Sequence, residues 1–292
     1  MNIYLVDGAT ENLRDAAKSN QTRHMKFLLS FYYYRSTNLD KYFGSFSTSL
    51  MADSGAFSAT TVGATISIHK YAAWIKTWGH LFDSYANLDV IGNAQATLDN
   101  QRRLEDMGLR PLPVFHVNEP WEYLEYYLEH YDYIALGGLV GIAHNKGMMP
   151  WLIKAFQMLS ASQRYHGFGM TSWEMLSNLP WGSVDSSSWG SGYRYGRIPL
   201  FSHRLRKIVK ALVGDTASCF QWKHLFERHG FDWLDFADRS RYDRKKVIQV
   251  SANAYLDAEE WLTKRYNQPV SIYSAGLGSS DIEKVKGAAL HV

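Results

Sequence analysis

Apolar residues in this chain fall into short dense runs, and the stretches between them are amphipathic. Short apolar runs bounded by turn residues predict buried strands. Such runs occupy residues 3–7, 26–34, 46–53, 84–90, 112–117, 133–136, 165–170 and 182–185. Between them the period lengthens. Over 69–82, Tyr71, Trp74, Ile75, Trp78 and Phe82 share one face, which predicts a helix. Further helices are predicted over 94–107, closed by Gly108, over 119–130, opened by Glu119-Pro120, and over 149–161, 173–179 and 251–265. Residues 10–24 are polar and predict a loop or a weak helix, and the polar tail from Asn267 predicts a loose end.

Strands alternating with helices across short connections imply βα units and a parallel sheet. The chain has 292 residues. That length and the number of units favour an α/β fold of the closed (β/α)8, TIM-like barrel type over an open doubly wound sheet. The prediction is one domain over 1–292, with a basic helical C-terminal region and an aromatic-rich part at 191–250. No glycine-rich phosphate loop follows an early strand, so a nucleotide-cofactor fold has little support.

Composition narrows the classes. Hydrophobic residues make up 46% of the chain and charged residues 20%, enough for a large core. The net charge is only +3, so any polyanion surface has to be local. Cys219 is the only cysteine, which excludes a disulfide framework and a Cys-rich zinc site. No apolar run is long enough for a membrane span, and Met1–Ala9 lacks the build of a signal peptide. A reduced, cytoplasmic protein with no membrane contact is expected.

Candidate chemistry collects at the ends of the predicted strands. Asp185 ends one strand and opens into Ser186-Ser187-Ser188-Trp189; Asp53 ends another and opens into Ser54-Gly55-Ala56-Phe57. Asp89, His116, Gly137-Gly138 and Met170 lie at further strand ends. In a parallel barrel all of these ends open onto one mouth. Two carboxylates across a pocket are the machinery of glycosyl transfer. Each residue also has an ordinary reading: an Asp caps turns, paired glycines serve a tight turn, and a lone His is often a satisfied core residue.

The last third is basic. Arg194, Arg197, Arg204, Arg206, Lys207 and Lys210 fall within 191–210 without an acid, and Arg239, Arg241, Arg244, Lys245 and Lys246 fall within 239–246. Tyr193, Tyr195, Trp222, Trp233 and Tyr242 lie among or near them. Cations interleaved with aromatics suit a phosphate backbone and exposed bases, and a solvated face explains either run alone.

Asp53-Ser54-Gly55-Ala56-Phe57 resembles the Asp-Ser-Gly-Gly-Phe signature of the tRNA-guanine transglycosylase superfamily. Leu88-Asp89, Leu136-Gly137-Gly138-Leu139, His166-Gly167-Phe168-Gly169 and Val184-Asp185 follow in that family's order, so the resemblance spans roughly residues 26–190. The wording, with Ala56, Ser58 and the Ser-rich string after Asp185, is more similar to the branch that puts 7-deazaguanine bases into DNA, known from phages and bacterial modification clusters.

The resemblance implies base exchange, with DNA as the polymer and a free 7-deazaguanine (preQ0-like) as the incoming base. Asp185 matches the nucleophile and Asp53 the acid/base. Asp89, Gly137 and Gly138 match base-binding positions, Ser54, Gly55 and Met170 are further substrate-binding candidates beside them, and His116 stands near a position where the family often has Gln. The family's zinc site needs three Cys, so with Cys219 alone neither zinc nor any other cofactor is expected. A tRNA-guanine transglycosylase, a non-catalytic nucleic-acid-binding barrel subunit serving a partner protein, and an unrelated barrel glycosidase stand as alternatives.

Overall fold

The computed structural model describes residues 1–139 and 147–267, so the predicted loose tail lies outside the described residues. Eight strands form one parallel sheet: β1 (Asn2–Val6), β2 (Met25–Ser30), β3 (Thr48–Asp53), β4 (Phe82–Tyr85), β5 (Val114–His116), β6 (Tyr133–Gly137), β7 (Arg164–Gly167) and β8 (Ser183–Ser186). Their order is β4-β3-β2-β1-β8-β7-β6-β5. The first and last strands are therefore neighbours, with Tyr4 opposite Asp185, and the sheet curls with helices around it.

Among the described residues the ends of the curl, β4 and β5, share no ladder. One parallel bridge, Ala86 to Leu112, spans them, with Leu112 N–H donating to Tyr85 O (2.7 Å) and Asn87 N–H to Leu112 O (2.9 Å). The sequence Pro111-Leu112-Pro113 explains why the seam stops there, since proline has no N–H for a ladder and only Leu112 can donate.

Alternation along the strands sorts the side chains. Ile3, Leu5, Phe27, Leu29, Leu136 and Val184 belong to the main core under the helices. Tyr4, Leu28, Met51, Val114 and Ala135 form a separate cluster inside the curl. This period of two is the strand's own geometry, and it turns Ser183 and Asp185 to the face opposite Val184.

Two predicted elements need correction and one alternative is decided. Of the loop or weak helix expected over 10–24, the structure has the helix, Thr10–Ser19, which buries Leu13, Ala16 and Ala17. The run 26–34 is a strand only to Ser30, and Phe31–Tyr34 turns into a helical turn. The basic C-terminal region is not wholly helical. It opens with an antiparallel hairpin, β9 (Arg197–Ser202) and β10 (Lys207–Leu212). That hairpin has its own apolar core, built from Ile198, Leu200, Val209, Cys219, Phe226, Phe236 and Val247.

The final helix, Arg244–Asn267, begins earlier than predicted and runs the length of the sheet. Near its start Arg244 lies over the Tyr193 ring (4.8 Å). Toward its end Thr263 donates to Met1 O (3.0 Å) and Glu259 accepts from Ile3 N–H (2.6 Å), which ties the helix to the start of β1. Among the described residues no helix is long and apolar enough to cross a membrane.

Candidate active site

All of the strand-end candidates except Met170 come together. Ser30 pairs with Asp53, Tyr4 with Asp185 and His116 with Gly137, each at the C-terminal side of its strand. Met170 is buried in the main core (1% exposed).

Asp53 closes β3 half-buried, and the turn behind it depends on a glycine. Gly55 has φ of 78°, and a Cβ there would lie 2.5 Å from Ser30 Oγ and from Tyr32 Cβ. No other residue fits, and Gly55 N–H donates to Asp53 Oδ2 (2.9 Å). Burial pushes the Asp53 carboxyl up to about 7, the charges of Asp89 and Asp185 push the same way, and the Gly55 N–H opposes them. That effect of Asp89 and Asp185 on Asp53 places three carboxyl groups around one site.

Asp89 sits beyond β4, in a loop pinned to the helix Ala94–Asp106. Asn87 donates to Thr97 O (2.8 Å), Asn100 to Leu88 O (2.8 Å), and Val90 N–H to Thr97 Oγ1 (2.9 Å). Ser54 Oγ donates to Asp89 Oδ1 (3.2 Å), and His116 Nε2 contacts Asp89 Oδ2 (2.9 Å). Each carboxylate oxygen has further lone-pair capacity for a ligand.

His116 is a buried cation rather than a neutral core histidine. Burial alone would lower its pKa, but hydrogen bonds to Asp89 and to Glu119 outweigh this and push it up to about 9. Glu119 takes the backbone N–H of His116 (2.9 Å) and its Nδ1 (3.1 Å). The chain can double back this way because Asn118 adopts the left-handed conformation (φ 71°), which Asn tolerates. The sequence reading used Glu119 only as a helix opener; the His-x-x-Glu spacing at a strand end was the available signal.

Gly137 also has a structural reason. A Cβ there would lie 2.5 Å from His116 Cδ2 and 2.9 Å from its Nε2, so the residue makes room for the imidazole. Gly137→Ala should therefore displace His116 from Asp89, read as a change in the His116 ring signals in nitrogen-15 spectra. Unchanged His116 signals would assign Gly137 to chain geometry alone.

The charge on His116 also sets a pH dependence. Its raised pKa stabilises the fold fully below about 6.5, and that stabilisation disappears as pH rises through about 9. His116→Gln should cost roughly 3 kcal/mol at pH 6 and almost nothing at pH 10, read by urea unfolding at both pH values.

Asp185 is buried on β8. Its Oδ1 accepts from Gly169 N–H (2.9 Å) and lies 3.3 Å from His166 Nε2. Among the described residues no hydrogen bond reaches Oδ2. His166 appears in the sequence reading only within a motif; its inward side of β7 was the missed signal.

The predicted polyanion contacts separate into groups. Arg194 is committed to Asp7 at the end of β1 (3.1 Å), beside Tyr193, which donates to the same carboxylate. Arg241 and Lys246 pair with Asp235 (both 2.5 Å). Arg197, Arg204, Arg206, Lys207 and Lys245 are exposed and make no ion pair among the described residues. The hairpin turn that carries Arg204 and Arg206 lies toward the far end. Its His203 is 3.7 Å from Asp257, which also pairs with Arg23 (2.9 Å), just before β2 begins. Arg244, over Tyr193, stays near the carboxylates.

A cavity of about 950 Å³ lies at the opposite end of the sheet, under the proline seam, lined by Tyr85, Glu105, Arg110 and Tyr133 among others. Among the described residues no group of three or more His, Cys, Asp or Glu is arranged to hold a metal. The zinc that the resemblance brings to mind does not fit these residues, because Cys219 is buried in the hairpin core and its Sγ donates to Leu212 O (3.2 Å).

No protein-family model matches the chain, and no curated protein matches it either.

Proposed function

We propose that the chain is a base-exchanging transglycosylase built on a (β/α)8 barrel whose last seam is a single bridge, and that it replaces guanine in DNA with a free 7-deazaguanine. One observation carries this reading. A carboxyl poised to exchange its proton near neutral pH, Asp53, shares a site with Asp185, one oxygen of which has no hydrogen-bond donor among the described residues.

The chemistry balances with these groups alone. Asp185 Oδ2 attacks C1′ of the target nucleotide, and the C1′–N9 bond breaks with its electron pair going to guanine. Asp53 gives its proton to the departing base. The incoming base then gives its N9 proton back to Asp53 as N9 attacks C1′, and the bond from C1′ to Asp185 breaks. Two displacements return the original configuration and both carboxyl groups.

Asp89 supports a guanine-type base. Such a base presents adjacent N–H donors on its edge, which suit the spare capacity of a carboxylate already held by Ser54 and His116. Exposed aromatics follow several strands on the same side: Tyr33 (53%), Phe57 (59%) and Tyr195 (73%). Unpaired bases stack on such rings, so the target nucleotide enters extruded from the duplex. DNA is favoured over tRNA because the zinc site that the resemblance associates with the tRNA enzymes needs three cysteines, and Cys219 is the only cysteine here.

The test is exchange of labelled guanine, with double-stranded DNA and a tRNA pool run side by side. Exchange into DNA is the expected result. Exchange into tRNA alone would overturn the polymer, and exchange into neither would overturn the activity.

A further inference from the structure

We propose that His166 is a positioning residue that fixes Asp185 through a one-directional chain of hydrogen bonds starting at Tyr133. The kinetic consequence rests on the transglycosylase reading above; the chain itself rests on geometry.

The four groups lie on the inner face of three adjacent strands. Tyr133 is on β6, His166 on β7, and Ser183 and Asp185 on β8. On β7 the neighbouring Tyr165 turns outward and donates to Ala155 O (3.0 Å), which leaves His166 facing inward. His166 is wholly buried (0% exposed). A buried imidazole needs a partner for each nitrogen, and His166 has both. Nε2 lies 3.3 Å from Asp185 Oδ1, and Nδ1 lies 2.5 Å from Ser183 Oγ. Ser183 Oγ in turn contacts the Tyr133 hydroxyl.

The direction of the chain follows from what each group can do. An ionised carboxylate only accepts, so the proton belongs on Nε2. Nδ1 is then an acceptor, and Ser183 gives it its hydroxyl proton. Ser183 keeps lone pairs, and Tyr133 donates to one of them. Burial raises the Tyr133 pKa, which keeps the phenol a donor. Tyr133, Ser183 and His166 each donate once in the same direction, and the chain ends on Asp185 Oδ1.

The ring is also held from the sides. Phe168 meets it edge-on at 4.7 Å between centroids, and Tyr4 does so at 6.1 Å. These edge contacts and the hydrogen bonds on both nitrogens hold the imidazole in one orientation.

The consequence falls on the two oxygens of Asp185. Oδ1 receives the His166 and Gly169 N–H groups, and Oδ2 receives none among the described residues. The oxygen without donors is the more nucleophilic, so the chain selects which oxygen attacks and holds it steady.

Two measurements test this on the full chain. The first needs no activity: nitrogen-15 spectra of histidine-labelled protein, with the His166 signals identified by their loss in His166→Phe. If that variant does not fold, the shift caused by Ser183→Ala identifies them instead. The expected result is a proton on Nε2 and an acceptor at Nδ1. A proton on Nδ1, or both tautomers in exchange, overturns the proposal.

The second measurement is kinetic. His166→Phe should lower kcat by about 10- to 100-fold with KM almost unchanged. His166→Gln, whose amide N–H can reach toward the place of Nε2, should recover most of that loss. A Gln variant as slow as the Phe variant, or a loss confined to KM, overturns the positioning role. If the wild-type chain exchanges no guanine at all, the transglycosylase reading fails, and the tautomer result still decides the hydrogen-bond chain.

Discussion

Asp185→Asn should stop guanine exchange, lowering the rate by a factor on the order of 10⁴ to 10⁶, as removal of an attacking group does. The fold should survive. An Asn oxygen in the place of Oδ1 still accepts from Gly169 and His166, so no buried donor is orphaned, and stability should stay within about 1 kcal/mol. Asp185→Ala is the harsher variant. It leaves both N–H groups without a partner and should cost about 1–3 kcal/mol as well as the activity. Two readouts separate the causes: release of labelled guanine from DNA, and the protein–DNA adduct trapped by acid quench. The wild type should give both, and the Asn variant neither while unfolding at nearly the wild-type temperature. Full exchange by the Asn variant would remove Asp185 from the nucleophile's place.

The order of strands and helices was legible because each buried strand is a compact apolar run and each covering helix has one apolar face. What was misread or left open has local causes. Residues 10–24 look polar, yet Leu13, Ala16 and Ala17 suffice for a covering helix because the sheet supplies the rest of the contact. In the C-terminal part, charge masked an alternation. Lys210 and Leu212 face out while Val209 and Ala211 face in, the pattern of a half-buried strand. The seam was also present in the sequence, in the two prolines around Leu112, but its meaning depends on which strand lies opposite.

The site divides in the same way. Strand-end carboxylates could be found because topology alone gathers them at one end. The burial of Met170 was not legible, since a core position and a position at the opening look alike in sequence. Pairing across the fold was invisible. Nothing local in Arg194 says that Asp7 will hold it from the far side of the chain, or that Asp235 will hold Arg241 and Lys246. Nothing local in Gly137 says that its missing side chain is filled by His116. The charge on His116 likewise follows only from seeing Asp89 and Glu119 on its two nitrogens.

Asp53→Asn should separate stability from activity most clearly. In the wild type, burial and the charges of Asp89 and Asp185 move the Asp53 carboxyl from 3.8 up to about 7. Between those values the folded protein keeps a proton that the unfolded chain has lost, so stability falls as pH rises from about 4 to about 7 and is level above that. An Asn has no charge to desolvate. The variant should therefore be more stable than the wild type at pH 8, by on the order of 1 to 3 kcal/mol, with the difference shrinking toward pH 4. Exchange should move the other way. The departing base needs the protonated acid, so the wild-type kcat/KM should fall about tenfold per pH unit above about 7. The Asn variant should lose about 10²- to 10⁴-fold in rate and lose that pH limb with it. Thermal melts and exchange rates from pH 4 to 9, taken on both proteins, decide the matter. A variant that is less stable at pH 8, or that keeps the wild-type pH limb, would show that Asp53 is neither the strained group nor the acid. A gain in stability joined to a loss of rate is what a carboxyl buried for its chemistry rather than for the fold must produce.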